Sequence, residues 1–250
     1  MAAQPALAAV AVAKLLNLFK QSNLIKACNL HQTCILYFST GHNSSKSFSS
    51  KKKKTIAVQK LLFNKTLLEI RKTKLPYLIN HGLKTDVSFN EKIDSAVNEA
   101  FLRGFKKIIL VGDDTPQLSA NQLLKAAQNL ENNKLSVGPS TDGGAYLISF
   151  TQQHFKEGVL KGLAWQTEQF YKSLLLNITN QKLVFTQLSE LSDLDSESDI
   201  QQFLKSKPFL KFTQLLFNLC IYQKIQVIFT FFSELVHKIA SQDRGPPLVA

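Results

Sequence analysis

The sequence predicts an α/β protein of three layers, with helices on both faces of a mostly parallel mixed sheet. Three observations lead there. Apolar, β-branched runs alternate with helical segments of about 10–17 residues, the pattern of a largely parallel sheet. Two blocks rich in acidic and small residues, VGDDTPQL (111–118) and VGPSTDGGAYLISF (137–150), each follow or contain a strand. Two strands in direct succession, 134–138 and 144–150, add a local antiparallel or mixed portion.

TCILYFS (33–39) is a short apolar run of the kind buried in a parallel sheet. TGHNSSKSFSSKKKK comes next, polar and without a period. TIAVQKLLFNKTLLEIRK (55–72) carries apolar residues at 58, 61, 62, 67, 68 and 70, a helical spacing. LPYLIN (75–80) is a second strand. The helix at 88–104 opens on a capping box, Ser88-x-x-Glu91, and closes on Gly104. Its buried stripe is Phe89, Ile93, Val97, Ala100 and Phe101. KKIILVG (106–112) is a third strand. Ser119-x-x-Gln122 opens the helix at 119–130. A helix at 167–178, a strand at 182–188 and a short helix capped by Ser196-x-x-Asp199 complete the order.

With 250 residues, 44% hydrophobic and 19% charged, the chain suits one α/β domain with extensions, or at most two small domains. We divide it into an N-terminal extension (1–30), a central domain (31–206) and an apolar tail (207–250). The net charge of +12 is lopsided, because no Asp or Glu precedes Glu69 while lysines crowd that stretch. A solvated lead of this kind requires no partner, and no RNP-like or zinc-finger pattern accompanies it, so no specific nucleic-acid partner is expected. Cys28, Cys34 and Cys220 form no CxxC and no metal-ligand spacing, which suits reduced thiols in a cytoplasmic protein. The first twenty residues place no charge before their apolar run and contain Pro5, a poor secretory signal. The lack of Arg before Arg71 argues against an organellar transit peptide. The segment 212–233 has one charge, Lys224, in 22 residues. It is long enough to span a bilayer, but Gln214, Asn218, Gln223 and Gln226 dilute it. A helix packed on the domain, a helix meeting a membrane surface or a partner, and a membrane span all stay open as readings.

Asp113 and Asp114 end a buried strand, and Thr115-Pro116 turn the chain directly after. Ligands of open α/β sheets bind outside the carboxyl ends of the strands. A carboxylate there can hold Mg²⁺ or Mn²⁺ bridged to a diphosphate, or can simply cap the turn. Asp142-Gly143-Gly144 allows backbone to approach a ligand closely, and equally makes a hairpin turn. Asp193 and Asp195, two residues apart, can face one metal or cap the last helix. His31, His42, His81, His154 and His237 share no motif and are read as ordinary surface or core residues.

In order and spacing, GDDTP-QL, GPS-x-DGG-x-YLI, LAWQT and DLDSESDI together resemble the selenodomain-associated transferase 1 family, bacterial glycosyltransferase-like proteins of GT-A type. The resemblance covers about residues 33–205, with Ala164 standing where the family has a proline before Trp165-Gln166-Thr167. It implies a nucleotide-diphospho-sugar transferase fold and a Mg²⁺ or Mn²⁺ cofactor. Asp114 takes the place of the metal and diphosphate carboxylate, with Asp113 its variable neighbour. Asp193 and Asp195 match a late acidic pair. Asp142, with Gly143 and Gly144, lines the sugar or acceptor side, where Asp142 orients the acceptor hydroxyl or serves as its base. The family's basic, glycine-containing loop after the first strand is rebuilt here. Gly41 and Lys46 remain as candidates for the nucleotide, but the pattern is lost. The readings from sequence are therefore a metal-dependent glycosyltransferase using a nucleotide-sugar and an unknown acceptor, a non-catalytic module on the same fold, and a nucleotidyltransferase.

Overall fold

The computed structural model describes residues 32–39, 48, 52–81, 86–206, 212 and 214–217. These divide between two compact units, one drawn from Met1–Ser44 and Leu62–Leu194, the other from Ser45–Leu61 and Asp195–Ala250. The extension 1–30, Gly41, Lys46 and most of the tail 207–250 lie outside the described residues.

The first unit holds a six-stranded sheet. Its strands are β1 (Thr33–Phe38), β2 (Tyr77–Asn80), β3 (Lys107–Val111), β4 (Leu135–Pro139), β5 (Ala145–Thr151) and β6 (Phe185–Gln187), in the order β2-β1-β3-β5-β4-β6. β1 pairs in parallel with β2 and β3, and β4 with β6. β5 runs antiparallel to both neighbours, β3 and β4, which resolves the antiparallel or mixed portion expected from two successive strands. The helices are α1 (Lys52–Lys72), α2 (Phe89–Leu102), α3 (Ala120–Glu131), α4 (Gln152–Lys156), α5 (Phe170–Asn180) and α6 (Glu197–Ser206).

Strand alternation sends successive side chains to opposite faces, and each face has its own core. Leu36, Ile108, Leu110, Val137, Ile148 and Phe150 pack with α2 and α5 through Ile93, Val97, Phe101, Leu174 and Ile178. Ile35, Tyr37, Ile109 and Val111 pack on the other face with Ile70 of α1 and with Leu123, Ala127 and Leu130 of α3. Both faces of the central strands are thereby covered, which is why these runs are continuously apolar.

Both expected capping boxes form, at Ser88 with Glu91 and at Ser119 with Gln122. A third, at Thr151 with His154, opens the five-residue α4, an element the sequence patterning does not anticipate. It makes His154 a buried cap residue, and burial holds its pKa below the ordinary value against the opposing pull of Glu157. α1 starts at Lys52 rather than 55, because lysines are good helix formers and prolong it into the basic run. α5 starts at Phe170 rather than 167. Thr167 Oγ1 donates to the Ala164 carbonyl and accepts from the Gln169 N–H, closing a turn where the helix was expected.

Glu69 joins α1 to α3. It accepts from Lys65 at 2.9 Å and Lys72 at 2.7 Å, and its other oxygen takes the Ala120 N–H at the start of α3 at 3.1 Å. A carboxylate at a helix N-terminus satisfies an orphan donor and faces the positive end of the helix dipole. In the second unit, Lys54 pairs with Glu197 at 3.8 Å, and Phe212 meets the Phe203 ring of α6 edge-on. Of the tail, Phe212 is thereby set against α6. Among the described residues no helix is long and apolar enough to cross a membrane.

Burial raises the Glu69 pKa, but the hydrogen bonds from Lys72, Lys65 and the Ala120 N–H outweigh it, leaving the carboxyl below its ordinary value of 4.5. A depressed carboxylate stabilises the fold above its unfolded value and loses that contribution as pH falls through the folded one. Glu69→Gln should therefore cost about 1–3 kcal/mol at neutral pH in urea unfolding. The gap to the parent should close as the pH is taken below the ordinary glutamate value.

Candidate active site

Because β1, β3 and β4 run in one direction and β5 in the other, four chain ends meet at one rim of the sheet. Ser39 follows β1, Asp113 and Asp114 follow β3, Ser140 follows β4, and the turn 140–144 leads back into β5. Beyond β6 the ladder resumes at an isolated parallel bridge between Ser140 and Leu191. Backbone bonds from Thr141 N to Leu191 O (3.0 Å) and from Leu191 N to Pro139 O (3.1 Å) pin that segment. The Leu194 N–H then donates to the Asp114 carbonyl at 2.9 Å. The segment carrying Asp193 is thereby tied at one end to β4 and at the other to the loop after β3.

Asp113, Asp114, Asp142 and Asp193 share this rim, and each of three buried hydroxyls donates to a carboxylate. Ser39 Oγ donates to Asp113 Oδ2, and Thr115 Oγ1 to Asp193 Oδ1. Ser140 Oγ donates to Asp142 Oδ1 at 2.7 Å, an oxygen that also accepts the Gly144 N–H at 2.9 Å. Ser39, Thr115 and Ser140 are all nearly fully buried. Burial first, then the negative charges of Asp114 and Asp142, together push the Asp193 carboxyl up to about 7 against the hydroxyls of Thr115 and Ser140. Asp114 and Asp142 are thus each within electrostatic reach of Asp193. Asp195 belongs to the second unit, where its N–H and that of Ser196 bond to Asp199 Oδ2 at the start of α6.

The two glycines of the turn have separate tasks. Gly143 sits at φ +85°, and a Cβ there would lie 2.2 Å from the Glu168 carbonyl oxygen. Its own carbonyl accepts the Tyr171 N–H at 2.9 Å, so the turn is keyed to the segment entering α5. That segment also carries Trp165, whose ring packs at a tilt against Phe170 and Phe89 and which donates to Asn90 Oδ1 at 3.0 Å. On the other face Tyr146 lies over Gly138, where a Cβ would be 2.3 Å from the ring. Its hydroxyl accepts from Gln122 of α3 and donates to the Ser189 carbonyl. Burial and the Asp193 charge push the Tyr146 phenol up to about 12 despite the bond from Gln122, so it stays protonated.

Among the described residues no three acidic, His or Cys side chains close into a metal cage. Mg²⁺ does not need one. It is commonly held by one or two carboxylates, with phosphate oxygens and water supplying the rest. The charges that act on Asp193 are negative, which is the environment a divalent cation relieves. Asp114 and Asp193 thus have the oxygen-donor chemistry for such an ion. The hydroxyls of Ser39, Thr115 and Ser140 were not picked out from sequence as site residues. The one signal available was that each sits at or just after the end of a strand.

Residues 53–167, less than half of the chain, match a family described as uncharacterised proteins conserved in bacteria (DUF2064). No curated protein matches the chain. Among solved structures, a Desulfovibrio desulfuricans G20 protein provisionally assigned as a nucleotide-diphospho-sugar transferase superposes with a TM-score of 0.66 at 20% identity. The match covers 77% of this chain and 97% of that one. A manganese complex of Rv0371c from Mycobacterium tuberculosis H37Rv matches at a TM-score of 0.45 and 14% identity, over 70% and 99% of the two chains. A cytidylyltransferase from Leptospira borgpetersenii matches at 0.42 and 11%, over 88% and 99%. The fold of this chain is that of the nucleotide-diphospho-sugar transferases.

The Gly143 geometry gives a direct test of how the Asp142 turn is held. Gly143→Ala combines a left-handed φ with a backbone clash and should cost at least about 1–3 kcal/mol. Denaturant unfolding of the variant and the parent measures the difference, and an unchanged midpoint would contradict the keyed turn.

Proposed function

We propose that this protein is a transferase that takes its donor as a nucleoside-diphosphate conjugate, of which a nucleotide-sugar is the reading the sequence resemblance favours. The observation that carries it is the meeting of Asp114, Asp142 and Asp193 at the carboxyl rim of a nucleotide-diphospho-sugar transferase fold. Fold alone does not assign chemistry; the acidic rim is what adds a site to it.

In this reading Asp114 and Asp193 hold a divalent cation, with Asp195 a further candidate ligand from the sequence. The cation, when bound, neutralises charge that develops on the leaving diphosphate. Asp142 acts on Asp193 through its charge from the exposed turn after β4. Held through Oδ1 by Ser140 and the Gly144 N–H, it is fixed to orient an acceptor hydroxyl or take its proton. Gly143 and Gly144 shape that side, and Gly41 and Lys46 are the sequence candidates for the nucleotide. The placement in the transferase 1 family belongs to this reading too.

Thermal-shift titration with nucleotides and nucleotide-sugars, each with and without Mn²⁺, tests it. At a hundred times Kd a ligand specific for the native state adds about 2.7 kcal/mol. For a domain of this size that is roughly 5–10 °C. We expect a shift that needs Mn²⁺ with one diphosphate nucleotide or its sugar, and its loss in Asp114→Asn with the metal-free melting unchanged. A shift with a triphosphate alone would point to nucleotidyl transfer. Cooperative melting with no shift from any of them would leave the protein a binding module.

A further inference from the structure

Thr115 is read from sequence as half of a turn, Thr115-Pro116, after the acidic strand end. The structure gives its side chain a second connection. Its hydroxyl donates to Asp193, a residue 78 positions away along the chain. Thr115 is 2% exposed, and the next backbone link runs the other way, from Leu194 N–H to the Asp114 carbonyl. Residues 114 and 115 are therefore cross-laced to residues 193 and 194. One strand of the lacing is backbone and would survive any side-chain change. The other is the Thr115 hydroxyl alone.

The other nearby hydroxyl cannot substitute for it. Ser140 acts on Asp193 as well, but it has one proton and donates it to Asp142 at 2.7 Å. A single hydroxyl between two carboxylates serves one of them at a time. Thr115 is the donor committed to Asp193. A carboxylate is free to rotate about its Cβ–Cγ bond, and that rotation decides which lone pairs meet a cation. Partners behind metal ligands set such orientations, and losing one commonly weakens the metal about 10–100-fold.

We propose that Thr115 is a positioning residue whose hydroxyl sets the Asp193 carboxylate for the cation shared with Asp114. This rests on the metal-site reading above. It assigns to Thr115 a task distinct from turn formation, one that needs the hydroxyl and not the methyl group.

Titration of the full-length protein with Mn²⁺ alone, following free Mn²⁺ by electron paramagnetic resonance, reads it directly. Asp193→Asn serves as the reference for a lost ligand. Thr115→Val keeps the shape and removes the hydroxyl, and should bind Mn²⁺ at least about tenfold more weakly than the parent. Thr115→Ser keeps the hydroxyl and should bind within about threefold of the parent, the margin expected where the bond behind the ligand is retained. Metal-free melting of each variant reports packing separately. If Thr115→Val does not melt cooperatively, Thr115→Ala against Thr115→Ser carries the same comparison. Equal affinities with and without the hydroxyl would overturn the proposal while leaving the metal site standing. So would a loss in Thr115→Ser as large as in Thr115→Val, since the methyl group would then be what matters. A parent protein that takes up no Mn²⁺ would instead remove the site reading itself, and the proposal with it.

Discussion

The reversal of one strand governs everything at the site. β5 lies between β3 and β4 and runs against both. An antiparallel neighbour to β4 can be reached by a short turn, whereas a parallel one needs a crossover. That turn must lie at the carboxyl end of β4, which is also the carboxyl end of β3. Asp142 is thereby delivered to the rim where Asp113 and Asp114 already stand. Had β5 been parallel, its connection would have left by a helix and the turn would not exist.

The remaining constraint comes from the sheet edge. β6 is only three residues long, but its pairing with β4 is extended by the Ser140–Leu191 bridge. A short edge strand is weakly fixed by itself. Here the segment 188–194 is held by further bonds to the rest of the chain, among them the Leu194 N–H to Asp114, the Thr115 hydroxyl to Asp193, and Tyr146 to the Ser189 carbonyl. The outcome is a half-buried carboxylate beside other carboxylates, a placement that costs stability. Perturbed carboxylates of this kind cluster at functional sites.

Much of this fold is legible in the sequence because it is written in periodic and local signals. The capping boxes at Ser88 and Ser119 name two helix starts. The apolar runs at 33–38 and 107–111 name strands covered on both faces. The succession of strands around Asp142 names the antiparallel step. The site is legible only in its acids. Asp114 and Asp142 stand at strand ends, where position carries meaning. Ser39, Thr115 and Ser140 do not stand out, because a hydroxyl acquires its role from a partner far along the chain. Asp193 and Asp195 look equivalent as a spaced pair. The structure places one in the sheet-bearing unit and the other at the cap of α6, a division that spacing does not encode.

The late position of Asp193 has a consequence for how the chain assembles. β1, β3 and the β4–β5 hairpin can pair before residue 185 is made, using partners that are already present. The Asp193 charge joins Asp114 and Asp142 only when β6 docks at the sheet edge. Contacts this distant in sequence are entropically slow to close. The chain thus postpones its electrostatic conflict to the addition of its last strand, after most of both apolar cores can already have formed.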